Sequence, residues 1–309
     1  MGAIARLLSE CLKGNSIART RDWPAKARFG NFPFMPIRAA ITVCLVPEAR
    51  QGPFVLHEPL ETALAKASNY GFHAVEIFPT HADDLDGLQL RNLLREHRLK
   101  LAAVGTGAGW LRRRLSLTDP DPHVRMMARD FIGAIIDFAG GFGAPAIIGS
   151  MQGRVADGVS REQALHWLGE ELDQLGPRAH ALGAPLLYEP LNRYETNLFN
   201  TVEEAIPFLH RLRTRNVKLL CDMFHMNIEE AELAGALRSV GPLLGHVHLA
   251  DSNRWAMGFG HTAMEPISRA LQELGYDGYV SAEVFPRPDS ETAARQTIST
   301  YHQYFGSVD

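Results

Sequence analysis

Four residues of the 309-residue chain have types and spacing that suit a hard cation: Glu189 in LLYEP, Asp222 in LLCDMFH, His248 in GHVHLAD and Glu283 in SAEVF. They lie 33, 26 and 35 residues apart, each interval close to one strand-plus-helix unit. An isolated acidic residue at a strand end is ordinarily a helix cap or a solvated loop residue. Here, however, the three carboxylates sit directly behind apolar strand residues, where an unpaired charge is costly to bury. At a common depth, three carboxylates and an imidazole need a cation among them. That mixed set suits Mn²⁺, Co²⁺ or Mg²⁺ and suits Zn²⁺ less.

Three more residues follow closely: Glu195 in EPLNRYETN, His225 in DMFHMN and Arg254 in HVHLADSNR. Each is expected on a loop just above the ligand plane, where it can hydrogen-bond a substrate. His246 shares a strand face with His248 because side chains alternate along a strand. Lying deeper, it is expected to be a hydrogen-bonded interior residue and not a ligand.

These residues need a frame that brings distant strand ends together. From Ile37 onward, short apolar runs alternate with longer helical patterns, which argues for a parallel sheet. The candidate strands are 37–46, 73–79, 100–107, 144–151, 185–190, 217–224, 245–251 and 279–285. Between the third and fourth lies a helical stretch, 124–139, with Met127, Phe131, Ile135 and Phe138 at helical spacing. Thr118 and Asp119 are its cap candidates, and prolines occupy its first turn. Eight such units predict a closed (β/α)8 TIM barrel, an α/β fold whose chemistry sits at the carboxyl ends of the strands. No GxGxxG follows the first strand, which argues against a dinucleotide-binding sheet.

Composition narrows the partners. The formal charge of −4 provides no bulk attraction for nucleic acid or an anionic membrane. No apolar run approaches the roughly 18 residues of a membrane span. Cys11, Cys44 and Cys221 are odd in number and widely spaced, which fits a reducing cytoplasm and no disulfide framework. Residues 1–36 differ in character: six Lys/Arg stand against Glu10 and Asp22 among short, broken apolar runs. They are expected to form an extension outside the barrel, with Met35 an alternative start, and 37–309 to form one catalytic domain.

EPLNRYET, CDMFHMNIEE, HVHLADSNR, GFGHT and YDGYVSAEVF together resemble the xylose-isomerase-like barrels of the sugar isomerase/epimerase superfamily. The likeness is sharpest to the D-tagatose 3-epimerase and D-psicose (allulose) 3-epimerase group. It spans roughly residues 37–305. It implies that Glu189, Asp222, His248 and Glu283 hold one divalent metal, Mn²⁺ foremost. It also implies that the two glutamates act as acid and base, and that Glu195, His225 and Arg254 contact the sugar near carbons 1 and 2. A homo-oligomer, dimer or tetramer, is implied as well. Two features depart from the pattern: Ala250-Asp251 stands where these epimerases often carry Gly-Glu, and the N-terminal extension is foreign to it.

The expected reaction is carbon-3 epimerisation of an unphosphorylated ketose, with one glutamate removing a carbon-bound proton and the other returning one to the opposite face. Trp110, Trp255, Met257 and Phe259 are expected to wall the sugar's far end, and Arg287 to be solvated surface charge. An aldose–ketose or hydroxypyruvate-type isomerase is the same-site alternative, and a dehydratase acting on a keto-inositol is a third. An endonuclease-IV-like nuclease would need three metals and more histidines at early strand ends. A catalytically inert sugar-binding protein would need neither glutamate.

Overall fold

The computed structural model describes residues 36–306. The extension expected at 1–36 therefore lies, apart from Pro36, outside the described residues. Eight parallel strands close into a barrel in sequence order. They are β1 (Arg38–Cys44), β2 (Ala74–Phe78), β3 (Lys100–Gly105), β4 (Ala146–Ile148), β5 (Leu186–Tyr188), β6 (Val217–Asp222), β7 (Leu244–His248) and β8 (Tyr279–Ala282). Each falls inside its expected range or one residue beyond it.

Helices return the chain between strands. After β1 and β2 come α1 (Leu60–Tyr70) and α2 (Gly87–Glu96). A short α3 (Ala108–Arg113) and a long α4 (Pro122–Gly140) separate β3 from β4. Then follow α5 (Arg161–Ala181), α6 (Val202–Arg211), the pair α7 (Met223–Glu229) and α8 (Leu233–Val240), α9 (Met264–Glu273) and the closing α10 (Ser290–Phe305).

The strands are apolar and buried on both faces, as a parallel sheet covered by helices requires. Outward-facing residues pack against the helices in one continuous core, where burying each Leu, Ile or Phe contributes about 1.5–3 kcal/mol. Inward-facing Ala103, Ile147, Leu187 and Leu220 form a separate plug inside the barrel. The floor of the site rests on that plug.

Two local expectations need correction. Asp121, not Thr118 or Asp119, caps α4, accepting the His123 N–H at 2.8 Å with Pro122 in the first turn. Thr118 instead lies within hydrogen-bond distance of the Gln152 and Arg154 carbonyls. The buried stripe of α4 is Phe131, Ile132, Ile135, Ile136 and Ala139, whereas Met127 is exposed and Phe138 only half-buried. Because two residues per turn face inward here, the stripe is rotated from a simple i, i+4 reading. Among the described residues no helix is long and apolar enough to cross a membrane, and Cys44 and Cys221 are buried free thiols.

Candidate active site

All four leading residues stand at carboxyl ends of consecutive strands. Asp222 and His248 end β6 and β7, while Glu189 and Glu283 come one residue after β5 and β8. One ligand-type atom from each lies within 4.8 Å of the others. A register shift between Leu219 and Leu220 brings Leu220 opposite His246 and Asp222 opposite His248.

Local structure aims each group. Asp222 caps α7, its Oδ1 accepting the Phe224 N–H at 2.7 Å, which leaves Oδ2 for the site. Gly149 provides room for Glu189, since a Cβ there would lie 2.6 Å from Glu189 Oε2. Buried Gln152 donates to the Gly149 and Glu189 carbonyls at 3.0 and 2.8 Å and accepts from the Tyr188 hydroxyl at 2.5 Å. The backbone carrying Glu189 is thereby fixed.

Behind His248 stands a residue that motif reading missed, Glu76 of β2. Its oxygens lie 3.1 and 3.2 Å from His248 Nε2, and Oε2 lies 2.8 Å from His246 Nε2. A carboxylate accepts only, so each Nε2 carries a hydrogen and points it at Glu76. His246 is thus the interior hydrogen-bonded residue expected. His248 Nδ1 faces Asp222 Oδ2, Glu283 Oε2 and Glu189 Oε1 at 3.5, 3.7 and 3.8 Å. A carboxylate behind a histidine commonly fixes the tautomer of a metal ligand.

The residues fit a divalent ion. Glu189 Oε1, Asp222 Oδ2 and His248 Nδ1 are buried without hydrogen-bond partners, and all belong to this one cluster. Leaving such atoms unpaired costs about 1–3 kcal/mol each. Burial and the Glu283 charge push the Glu189 carboxyl well above the ordinary range. Burial alone would depress His248, yet the charges of Glu76 and Glu283 hold it well above its usual value. Burial dominates the Glu189 shift, whereas that of His248 reflects the carboxylates gathered round it, a charge that a cation would neutralise.

Arg254 and His225 adjoin the cluster. Arg254 Nη2 donates to Glu283 Oε2 at 2.6 Å, and its Nη1 lies 3.6 Å from Glu195 Oε1. His225 stands on α7, not on a loop as expected, because the chain turns helical immediately after Asp222. Asn192, also missed, orients it. Its Oδ1 accepts the Tyr194 N–H and its Nδ2 donates to Glu195, so the same amide donates to His225 Nδ1 at 2.7 Å. Nε2 then bears the hydrogen, 3.8 Å from Glu189 Oε1. Burial holds His225 below its ordinary pKa, hence neutral.

The departure at Asp251 proves structural. This buried carboxylate accepts four backbone N–H groups: Ser252 and Thr262 on Oδ1 at 2.7 and 2.9 Å, Gly258 and Gly260 on Oδ2 at 2.7 and 2.8 Å. A Cβ at residue 260 would collide with Oδ1. Inside this ring Arg254 adopts φ 59°, its N–H bonded to the Asp251 carbonyl and its own carbonyl bonded to Phe285 N–H.

Above the cluster opens a cavity of about 450 Å³. Phe54 and Phe78, stacked at 4.6 Å, line it with Trp110 and Leu111. Of the four expected walls, Trp110 is in place, while Trp255, Met257 and Phe259 do not line the cavity. The Asp251 ring directs that segment elsewhere: Met257 is buried, its carbonyl accepting from Gln296 and Thr300 of α10. Arg287 is exposed and stands apart from the cavity.

A closed eight-strand barrel with acidic and imidazole groups converging at its carboxyl end defines a class of barrel enzymes with a candidate metal site. Residues 64–303 match the model of the xylose isomerase-like TIM barrel family, and the chain belongs to that family. It is 29% identical over 233 residues to D-psicose 3-epimerase of Ruminiclostridium cellulolyticum, covering 72% of this chain and 78% of that one. It is 28% identical over 251 residues to L-ribulose 3-epimerase of a Methylomonas species, covering 80% and 86%. A crystal structure of D-psicose 3-epimerase in the presence of D-fructose superposes with a TM-score of 0.74 at 22% identity, covering 88% of this chain and all of that one. That last likeness speaks to the fold.

Proposed function

We propose that the protein is a divalent-metal-dependent ketose epimerase that inverts carbon 3 of an unphosphorylated ketose. The observation that carries this reading is the convergence of Glu189 and Glu283 on one point where three buried polar atoms lack partners. The residues that would hold the ion are Glu189, Asp222, His248 and Glu283, and Mn²⁺ suits them, with Co²⁺ or Mg²⁺ as substitutes. A divalent ion held there supplies Lewis acidity that eases removal of a proton beside a carbonyl.

The protein's own groups account for the rest. One glutamate takes the proton from carbon 3, and the other delivers a proton to the opposite face. The Arg254 guanidinium, paired with Glu283, and the His225 Nε2–H offer donors where negative charge grows on the sugar's oxygens. Asn192 keeps His225 in the donor tautomer, and Glu195 is set to hold a hydroxyl near carbons 1 and 2. Among the described residues Arg254 is the only lysine or arginine lining the cavity, which leaves no separate cradle for a phosphate. The curated relatives named for ketose 3-epimerisation support the same chemistry. A homo-oligomer in a reducing cytoplasm completes the reading.

The test compares D-fructose, D-psicose and D-tagatose with their phosphate esters under identical Mn²⁺ loading, with products resolved by chromatography. Carbon-3 epimers of the free sugars are expected. A preference in kcat/KM for any ester contradicts the free-sugar claim. Carbon 1–2 isomerisation without carbon-3 inversion favours the aldose–ketose alternative.

A further inference from the structure

A second cavity of about 460 Å³ adjoins the catalytic one, and the two share Trp110 as a wall. Polar side chains of Ser116, Asp119, Arg154, Asp157 and Asn197 line it beside the apolar Pro120, Val155 and Ala156. The segment bearing Arg154 and Asp157 is held in place. Asn197 accepts the Val155 N–H at 2.8 Å and donates back to the Val155 carbonyl at 3.3 Å. The Thr196 hydroxyl donates to the Gly153 carbonyl at 2.8 Å, and Thr118 approaches the Arg154 carbonyl at 3.0 Å. These bonds occupy the backbone and leave the guanidinium of Arg154 and the carboxylate of Asp157 for a ligand. Asp119 spends one oxygen on the Asp121 N–H.

The position of this cavity relative to the chemistry is fixed by topology. In a closed ring of eight, β3 lies opposite β7, so Trp110, in the helix after β3, stands across the mouth from His248 and Arg254. A ketose whose carbonyl end meets Arg254 and His225 directs its last carbons toward Trp110 and the second cavity. An aromatic wall beside exposed charged donors and acceptors suits a neutral polyhydroxylated ring, for an apolar face takes the ring and the forks take hydroxyls. One cation against two carboxylates disfavours an anionic group there.

We propose that the second cavity is a subsite for a further sugar unit joined to the ketose's terminal carbon, so that the enzyme accepts 6-O-glycosyl ketoses as well as free ketoses. The inference rests on the ketose reading above and adds the substrate class.

The experiment uses the full, Mn²⁺-loaded chain with D-fructose and with 6-O-α-D-glucopyranosyl-D-fructose, measuring turnover by chromatography and binding by calorimetry. The expected result is a kcat/KM for the disaccharide at least equal to that for D-fructose. Arg154→Ala and Asp157→Asn are each expected to lower the disaccharide value about tenfold, the scale of one charge-assisted hydrogen bond, with D-fructose unchanged. Turnover of D-fructose with the disaccharide more than about tenfold poorer overturns the subsite and leaves the ketose reading standing, as does an equal effect, or none, of the variants on both sugars. If neither sugar turns over, the ketose reading fails, and calorimetry decides the subsite. Tighter binding of the disaccharide than of D-fructose, lost in Arg154→Ala, supports it; equal or absent binding overturns it.

Discussion

Glu189 and Glu283 bear the proton transfers in this account, and replacing either by Gln keeps the side chain's shape while removing the base. Each variant is expected to lose about 10²–10⁴-fold in kcat with an unchanged circular dichroism spectrum. Activity above a tenth of wild type in either would contradict a two-glutamate mechanism. Glu76 acts at one remove. Glu76→Gln is expected to weaken Mn²⁺ binding about 10–100-fold by calorimetry, with the thermal midpoint of the metal-free protein little altered. An unchanged Mn²⁺ affinity would show that Glu76 merely fills the interior. The strand-end residues were legible in the sequence because regular spacing, apolar neighbours and unusual side-chain types coincide in them. Glu76 was not, because its partners lie three strands away around the ring, and only closure of the barrel makes them neighbours. Asn192 was hidden for a related reason: its role depends on α7 beginning directly after Asp222.

At the scale of elements, the loop after β7 shows how a departure in sequence becomes a device for aim. Burial tends to raise the Asp251 pKa, but its backbone N–H bonds outweigh this and hold it below the ordinary value. Its stabilising contribution is therefore complete above the unfolded carboxylate range and is lost as pH falls through the depressed folded value. Asp251→Asn turns an amide toward backbone donors. It is expected to lower kcat/KM through Arg254 and to flatten the fall of the melting temperature in acid relative to wild type. Parallel melting curves for the two proteins across that range would contradict the assignment. All eight strands were legible from their apolar runs. The cap of α4 and its buried stripe were not, since Asp119 and Asp121 offer equivalent chemistry in sequence and only the local turn selects one. Trp255 and Met257 were misplaced because the carboxylate ring that turns them away is built from bonds to four separate backbone positions.

Over the whole molecule, the described residues close the barrel by themselves. β1 pairs with both β2 and β8, and the Tyr301 hydroxyl of α10 donates to the Ile37 carbonyl at 2.9 Å, sealing the first strand from the far end of the chain. A chain beginning at Met35 is accordingly expected to remain soluble, bind Mn²⁺ and keep its activity. Loss of any of the three would show that the preceding residues take part in the fold or in an assembly. The central claim, metal-dependent inversion at carbon 3, is tested most directly by incubating D-fructose with the Mn²⁺-loaded enzyme in D₂O and locating deuterium in the products. The account predicts D-psicose labelled at carbon 3, and no product once the metal is chelated until Mn²⁺ or Co²⁺ is restored. Undiminished turnover in the stripped enzyme, or deuterium confined to carbons 1 and 2, would contradict it.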